Sequence, residues 1–173
     1  MKKYFFIVVI MTLSFNAFAQ KKLLIYNFSS YDVSVSDIMT KHTTNNYPTV
    51  ADYVPDFTIA AGDFFELYTG HLTRFPFNAT IGGDFIIPQW SAQTSATTFV
   101  IPTGNTPNST AIALGYGSNQ VFHCIKYSEG LDSGILGTTP LGTNEVVMLN
   151  TTGYYDEFIV GNVIEYTLVI IDN

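Results

Sequence analysis

The segment of residues 163–171, close to the carboxyl terminus, constrains the fold of this chain more than any other. Apolar side chains recur at every second position along one face of it, namely Ile164, Tyr166, Leu168 and Ile170. Val169 and Ile171 make the opposite face apolar as well. The segment is too short to cross a bilayer as a helix, and its β-branched residues favour an extended backbone. It therefore predicts a central or well-covered strand of an all-β domain.

The composition of the whole chain supports the same class of fold. The chain has 11 Tyr and 14 Phe, only 12% of its residues are charged, and it contains no long tract of Ala, Leu, Glu and Lys. Such a composition favours short β-strands separated by turns. We therefore predict a single domain over residues 20–173, a two-sheet antiparallel β-sandwich of about ten short strands with a jelly-roll-like arrangement. We also expect the first and last strands to lie side by side.

Local patterns add three more specific predictions. Residues 56–60 and 63–69 alternate on either side of Gly62, which predicts a β-hairpin. Residues 110–116 are predicted to form a further strand. The many glycines of residues 128–143 indicate that this segment consists mostly of turns.

The first 19 residues have the organisation of a signal peptide. Lys2 and Lys3 provide a positively charged start, residues 4–13 form an apolar run, and alanines at positions 17 and 19 precede Gln20. A membrane anchor is the alternative, but the apolar run is shorter than the ~20 residues that a spanning helix needs. A short leader that begins with lysines is typical of bacteria. It predicts export to the periplasm, the outer-membrane surface or the extracellular space, with a mature chain that starts at Gln20.

The charge balance argues against one class of partner. The formal net charge of the chain is −7, and it becomes −9 when Lys2 and Lys3 leave with the leader. Binding to nucleic acid depends on a basic surface that neutralises phosphate, and this chain has no such stripe of Lys and Arg. The sequence therefore predicts no nucleic-acid partner.

The Asp132-Ser133-Gly134 sequence is the motif that most suggests catalysis. Between Leu131 and Ile135, it resembles the signature of the retroviral-type aspartic proteases. In that family two copies of the motif, from one chain or from a dimer, provide paired carboxylates that share a proton and activate a water molecule. This chain has a single copy. The alternative is a glycine-rich turn capped by the Asp132 carboxylate, so we predict no catalytic residues and no enzymatic activity.

No pattern in the sequence is typical of a metal or cofactor site. His42, His71 and His123 are far apart in the chain, and no calcium-binding or phosphate-binding loop motif is present. His123 and Cys124 are adjacent on a predicted strand, so their side chains point to opposite faces and cannot hold one ion together. Cys124 is the only cysteine, which excludes an intramolecular disulfide and makes it a predicted buried core residue. We therefore predict no metal and no cofactor.

Aromatic residues near turns suggest a carbohydrate-binding module as one possible function. β-Sandwich modules bind sugars on a platform of exposed aromatic rings. The candidates in this sequence are Trp90, Tyr116, Tyr154 and Tyr155. The other interpretation of these residues is that they belong to the core, because aromatic residues of β proteins are mostly buried.

Protein binding is the function that the composition favours. A surface poor in charge and rich in Thr, Ser, Asn, Tyr and Phe resembles a protein interface. We therefore predict an exported, non-catalytic accessory subunit that docks on, or plugs, a larger cell-envelope or outer-membrane assembly. Its exposed edge strands could add to the sheet of a partner protein. A glycan is the alternative partner.

Overall fold

The computed structural model describes residues 20–69, 75–76, 89–101 and 108–173, and the predicted signal peptide lies outside the described residues. These residues form eleven strands: β1 (Gln20–Asn27), β2 (Val33–His42), β3 (Thr49–Ile59), β4 (Phe64–Thr69), β5 (Gln89–Gln93), β6 (Phe99–Val100), β7 (Gln120–Glu129), β8 (Asp132–Gly137), β9 (Glu145–Val147), β10 (Thr151–Val160) and β11 (Val163–Asp172). A six-residue helix, α1 (Asn108–Ala113), accompanies them. The prediction of a nearly all-β fold is confirmed.

The strands form two sheets, as predicted. The strand order is β4-β1-β11-β10-β9 in the five-stranded sheet and β6-β5-β3-β2-β7-β8 in the six-stranded sheet. Neighbouring strands are antiparallel except β1 and β11, which are parallel with Gln20 beside Val163 and Asn27 beside Ile170. The expected adjacency of the first and last strands is therefore confirmed. They can pair in parallel because the whole chain lies between them, whereas strands joined by a tight turn must be antiparallel.

Strand β11 occupies the centre of its sheet, the third of five strands. Tyr166 and Leu168 on its inner face are fully buried. The opposite face is only partly covered, since Val169 is half-buried and Ile171 is 37% exposed. The predicted central position is confirmed, but only the inner face of the strand is fully covered.

One hydrophobic core is shared by the two sheets. The five-stranded sheet contributes Leu23, Ile25, Phe65, Leu67, Tyr166, Leu168 and Ile170, and the six-stranded sheet contributes Val33, Val35, Ile38, Phe122, Ile125, Tyr127 and Leu136. Burial of each large apolar side chain contributes about 1.5–3 kcal/mol to folding. Because these residues come from both sheets, the core holds the two layers together.

The predicted hairpin around Gly62 is wrong, although the turn exists. The amide of Asp63 donates to the carbonyl of Ala60 at 3.1 Å, and Gly62 has a φ of +76°. However, β3 pairs with β2 and β5, whereas β4 pairs with β1. The rings of Phe57 and Phe65 stack with their centroids 4.2 Å apart. The chain thus crosses from one sheet to the other at this turn. The crossing places the two rings on facing sheets, where they pack against each other between the layers.

The strand predicted for residues 110–116 is also absent, and helix α1 covers its first half. Ala111 is fully buried in a small cluster with Val50 and Trp90. After the helix, Gly115 has a φ of +80°, which ends the regular backbone. The alternation of small and apolar residues in this segment predicted a strand. The packing of Ala111 against the Trp90 cluster stabilises the helix instead.

Residues 128–143 contain more strand than the glycine content suggested. Strand β7 continues to Glu129, and β8 follows after a turn of two residues, Gly130 and Leu131. A side chain at Gly134 would collide with Val146, with 2.3 Å between the atoms concerned. This glycine therefore permits close packing within a strand and does not form a turn.

Candidate functional site

The predicted aromatic platform does not exist as one surface. Trp90 is only 2% exposed and belongs to a small core cluster on the six-stranded sheet. Its indole meets the ring of Tyr116 edge-on, with 5.6 Å between the ring centroids. Trp90 is part of this packing, so its indole face is not available for stacking on a sugar.

The two remaining candidates lie on β10 and point to opposite faces of the five-stranded sheet. Tyr155 points inward and packs on Phe122, with ring centroids 5.3 Å apart. Burial and the nearby Glu157 carboxylate raise the pKa of Tyr155. Tyr154 points outward and is 42% exposed. Of the four predicted aromatic residues, Tyr154 is therefore the one that stands on an open sheet surface.

Tyr154 belongs to a row of mainly aromatic residues that was not predicted from the sequence. The row crosses four strands on the outer face of the five-stranded sheet, and its members in spatial order are Phe64, Tyr26, Val169 and Tyr154. The ring of Tyr26 also stacks on the exposed Phe28, with centroids 5.4 Å apart and planes inclined by 10°. We call these five residues the outer patch. They come from four separate segments of the chain, so only the strand pairing reveals that they are neighbours.

Acidic residues border the outer patch. Glu66 and Asp156 belong to the next row of the sheet, at either end of it, with Leu24 and Thr167 between them. Lys22 forms an ion pair with Glu66 at 3.4 Å. The apolar surface is therefore bounded by carboxylates, one of which is neutralised.

Among the described strands, none pairs with the second half of β10 on its side away from β11. Strand β9 pairs with β10 only from Thr152 to Tyr154. Among the described residues, no strand pairs with residues 156–160 on the side away from β11. The side chains at the end of this segment are exposed: Phe158 by 47%, Ile159 by 75% and Val160 by 60%. We call residues 156–160 the free edge.

The Asp132 carboxylate forms hydrogen bonds that are typical of a structural cap. It accepts one from the amide of Ser133 at 3.0 Å and one from the amide of Leu149 at 2.9 Å. The nearby Glu129 carboxylate accepts hydrogen bonds from the Thr151 hydroxyl at 2.9 Å and from the side-chain amide of Asn150. These bonds fasten the β7–β8 hairpin to the start of β10. The geometry fits the interpretation of Asp132 as a cap, although on a strand hairpin and not in a long loop.

The described residues offer few groups for metal or thiol chemistry. In these parts of the chain, no three His, Cys, Asp or Glu side chains are close enough together to bind a metal ion. Cys124 is buried and its Sγ lies 4.0 Å from Sδ of Met39. Burial, followed by the Asp37 carboxylate, raises the pKa of its thiol to about 12, so the reactive thiolate is not formed near neutral pH. Across the same residues, the structure contains no helix with the length and apolar character needed to cross a membrane.

Comparison with known proteins gives no match for this chain among family models, curated proteins or solved structures. The outer patch and the free edge of β10 are therefore the features of the molecule that bear on its function.

Proposed function

We propose that this protein is an exported, non-catalytic β-sandwich with a jelly-roll-like arrangement, an accessory subunit that docks on a larger cell-envelope or outer-membrane assembly. The contact is made through the free edge of β10 and the adjoining outer patch. The observation that carries the proposal is the exposed, unpaired segment of β10 that ends in Phe158, Ile159 and Val160.

The backbone of the free edge supports docking by strand addition. The carbonyl of Thr151 accepts a hydrogen bond from the amide of Met148, and the amide of Tyr155 donates one to the carbonyl of Asn144. Both partners flank β9. Because backbone groups alternate in direction along an antiparallel strand, Glu157 and Ile159 direct their N–H and C=O groups away from β11. An extended segment of a partner can form hydrogen bonds with these groups and continue the five-stranded sheet.

The side chains at the free edge favour a stable contact with a partner protein over exposure of the edge to solvent. Soluble proteins protect edge strands with lysine, proline or bulges. The three residues at the end of β10 have no such protection and are apolar. Asp156 and Glu157, which precede them, are exposed carboxylates. A partner strand with apolar side chains and a neighbouring Lys or Arg would complement this edge.

A proline at position 159 is expected to prevent docking without unfolding the protein. Ile159→Pro removes an outward-facing amide and leaves the ladder between β10 and β11 intact. We expect the full chain to co-purify with a stoichiometric partner from the native envelope, and the variant to lose at least 90% of that partner. Hydrogen exchange in the complex should show protection of the amides of Glu157 and Ile159 that is absent in the isolated protein.

The matched control is Ile159→Thr, which retains the amide and a β-branched side chain. This variant should retain most of the partner and show the same protection from exchange. Equal capture by the proline variant would contradict strand addition, as would unprotected amides at positions 157 and 159 in the purified complex.

Carbohydrate binding is a second candidate, and the stacked, nearly parallel rings of Tyr26 and Phe28 favour it. Together with Tyr154 they present exposed or half-buried aromatic surface on the outer patch, and ring faces of this kind can stack on a pyranose. Retention on a polysaccharide column that Tyr154→Ala abolishes and Ile159→Pro leaves unchanged would establish this function in place of strand addition.

A further inference from the structure

A separate pocket with both polar and apolar lining residues lies on the six-stranded sheet, away from the free edge of β10. It has a volume of about 520 Å³ and lies between the end of β2, the loop of residues 43–48, strand β5 and the turn of residues 138–142. Its polar lining includes Lys41, Asn45, Asn46, Gln93 and His123. Pockets of this size accommodate small ligands in other proteins.

A chain of hydrogen bonds fixes the orientation of two of these groups. The Lys41 ammonium donates to Oγ1 of Thr138 at 2.9 Å. The same hydroxyl lies 2.9 Å from Nδ1 of His123 and 3.2 Å from the carbonyl of His123. Because an ammonium group can only donate, the hydroxyl hydrogen bonds either to Nδ1 or to the carbonyl, and in the second case Nδ1 donates to the hydroxyl. Either arrangement ties Lys41 and His123 together through Thr138.

The His123 ring is neutral near pH 7. Burial, followed by the charge of Lys41, lowers the pKa of His123 to about 4. The ring is nearly inaccessible to solvent as a whole, yet it lines the pocket. His123 therefore adds no second positive charge to the pocket.

Lys41 is a cation without a carboxylate partner in the described part of the chain. The ion pair found there joins Lys22 and Glu66 on the other sheet. Lys41 is half-buried at the pocket, in a protein with a formal net charge of −7. A ligand that brings a negative charge would neutralise this ammonium group and accept the hydrogen atoms that it does not share with Thr138.

We propose that this pocket binds a small organic carboxylate that also carries hydroxyl groups, such as a sugar acid. The carboxylate would accept hydrogen bonds from Lys41, and the side-chain amides of Asn45, Asn46 and Gln93 would form hydrogen bonds with the hydroxyl groups. A single lysine provides one positive charge, which suits a monoanion better than a phosphate ester, for which proteins typically use an arginine fork or several backbone amides. This site and the docking edge are on different sheets, so either can exist without the other.

Titration of the protein with D-glucuronate, D-glucose and inorganic phosphate, followed by calorimetry and by amide NMR, tests the proposal. Glucose has the same ring as glucuronate but no carboxylate. We expect glucuronate to bind at least ten times more tightly than glucose or phosphate, and the amide shifts to centre on residues 41–49 and 138–142. Lys41→Met should weaken glucuronate binding at least tenfold.

The control is Lys126→Met, which removes an exposed lysine of β7 that does not line the pocket. Affinity for glucuronate should be unchanged in this variant, and a thermal melt of both variants verifies that they are folded. Equal binding of glucose and glucuronate, tighter binding of phosphate, no binding at all, or an equal loss in the two lysine variants would each overturn the proposal.

Discussion

Replacement of Gly137 by alanine is expected to lower the free energy of unfolding by about 3–5 kcal/mol. A Cβ atom at this position would lie 2.3 Å from the carbonyl oxygen of His123 and 2.5 Å from Cα of Cys124. Both obstacles are backbone atoms of the adjacent strand β7, so they cannot move aside as a flexible side chain would. In addition, the φ of +150° at Gly137 is rarely adopted by residues that have a side chain.

Gly130→Ala in the same hairpin separates the two causes. Gly130 has a φ of +58°, but in the described part of the chain no atom beyond its two chain neighbours lies within 4 Å of the position that its Cβ would occupy. We expect this control to lose only about 1 kcal/mol, the cost of the left-handed backbone. Urea denaturation of both variants measures the difference. Similar decreases in the free energy of unfolding of the two variants would contradict the close approach of β8 to β7 at Gly137.

Acidification from pH 7 to pH 5 is expected to reduce the free energy of unfolding by about 2 kcal/mol through His123 alone. The pKa of His123 is lowered from 6.5 to about 4 in the folded protein. Between these two values the unfolded chain binds a proton that the folded chain does not, so stability falls as the pH falls. The contribution is fully present above pH 6.5 and disappears as the pH approaches 4.

Denaturant unfolding at several pH values, on the protein and on two variants, measures this effect. His123→Gln removes the titrating ring and should flatten the dependence between pH 7 and pH 5. His42→Gln replaces a half-buried histidine at the end of β2, and it should retain the dependence of the unaltered chain. The assignment to His123 is wrong if the two histidine variants respond to pH in the same way.

The sequence predicted the strand content and the role of the carboxyl-terminal segment correctly. Period-two alternation with Tyr166 and Leu168 on one face sufficed, because a strand with such a face must bury it. The pairing of the first and last strands was also anticipated. Its parallel direction was not, since no short connection dictates the direction of two strands at opposite ends of a chain.

Most residues of the candidate site could not be predicted from sequence patterns. Tyr154 was identified among the aromatic residues, but its neighbours Tyr26, Phe28 and Phe64 were not. The reason is that β1 and β4 carry apolar residues on both faces. Alternation then cannot distinguish the buried face from the open one. Trp90 illustrates the converse, because its place beside a turn did not reveal that α1 and Tyr116 pack against it.

By itself, the sequence determined that this chain is built from short strands around an aromatic and aliphatic core, because those properties depend on composition and local alternation. The tertiary structure alone decided which strands share a sheet, which side chains form the outer patch, and where β10 is left unpaired. These features depend on contacts between residues distant in the chain, such as Phe57 with Phe65 and Tyr154 with Val169. The period of a strand is the same whether or not another sheet covers it, so only the assembled layers distinguish the buried face of a strand from its exposed face.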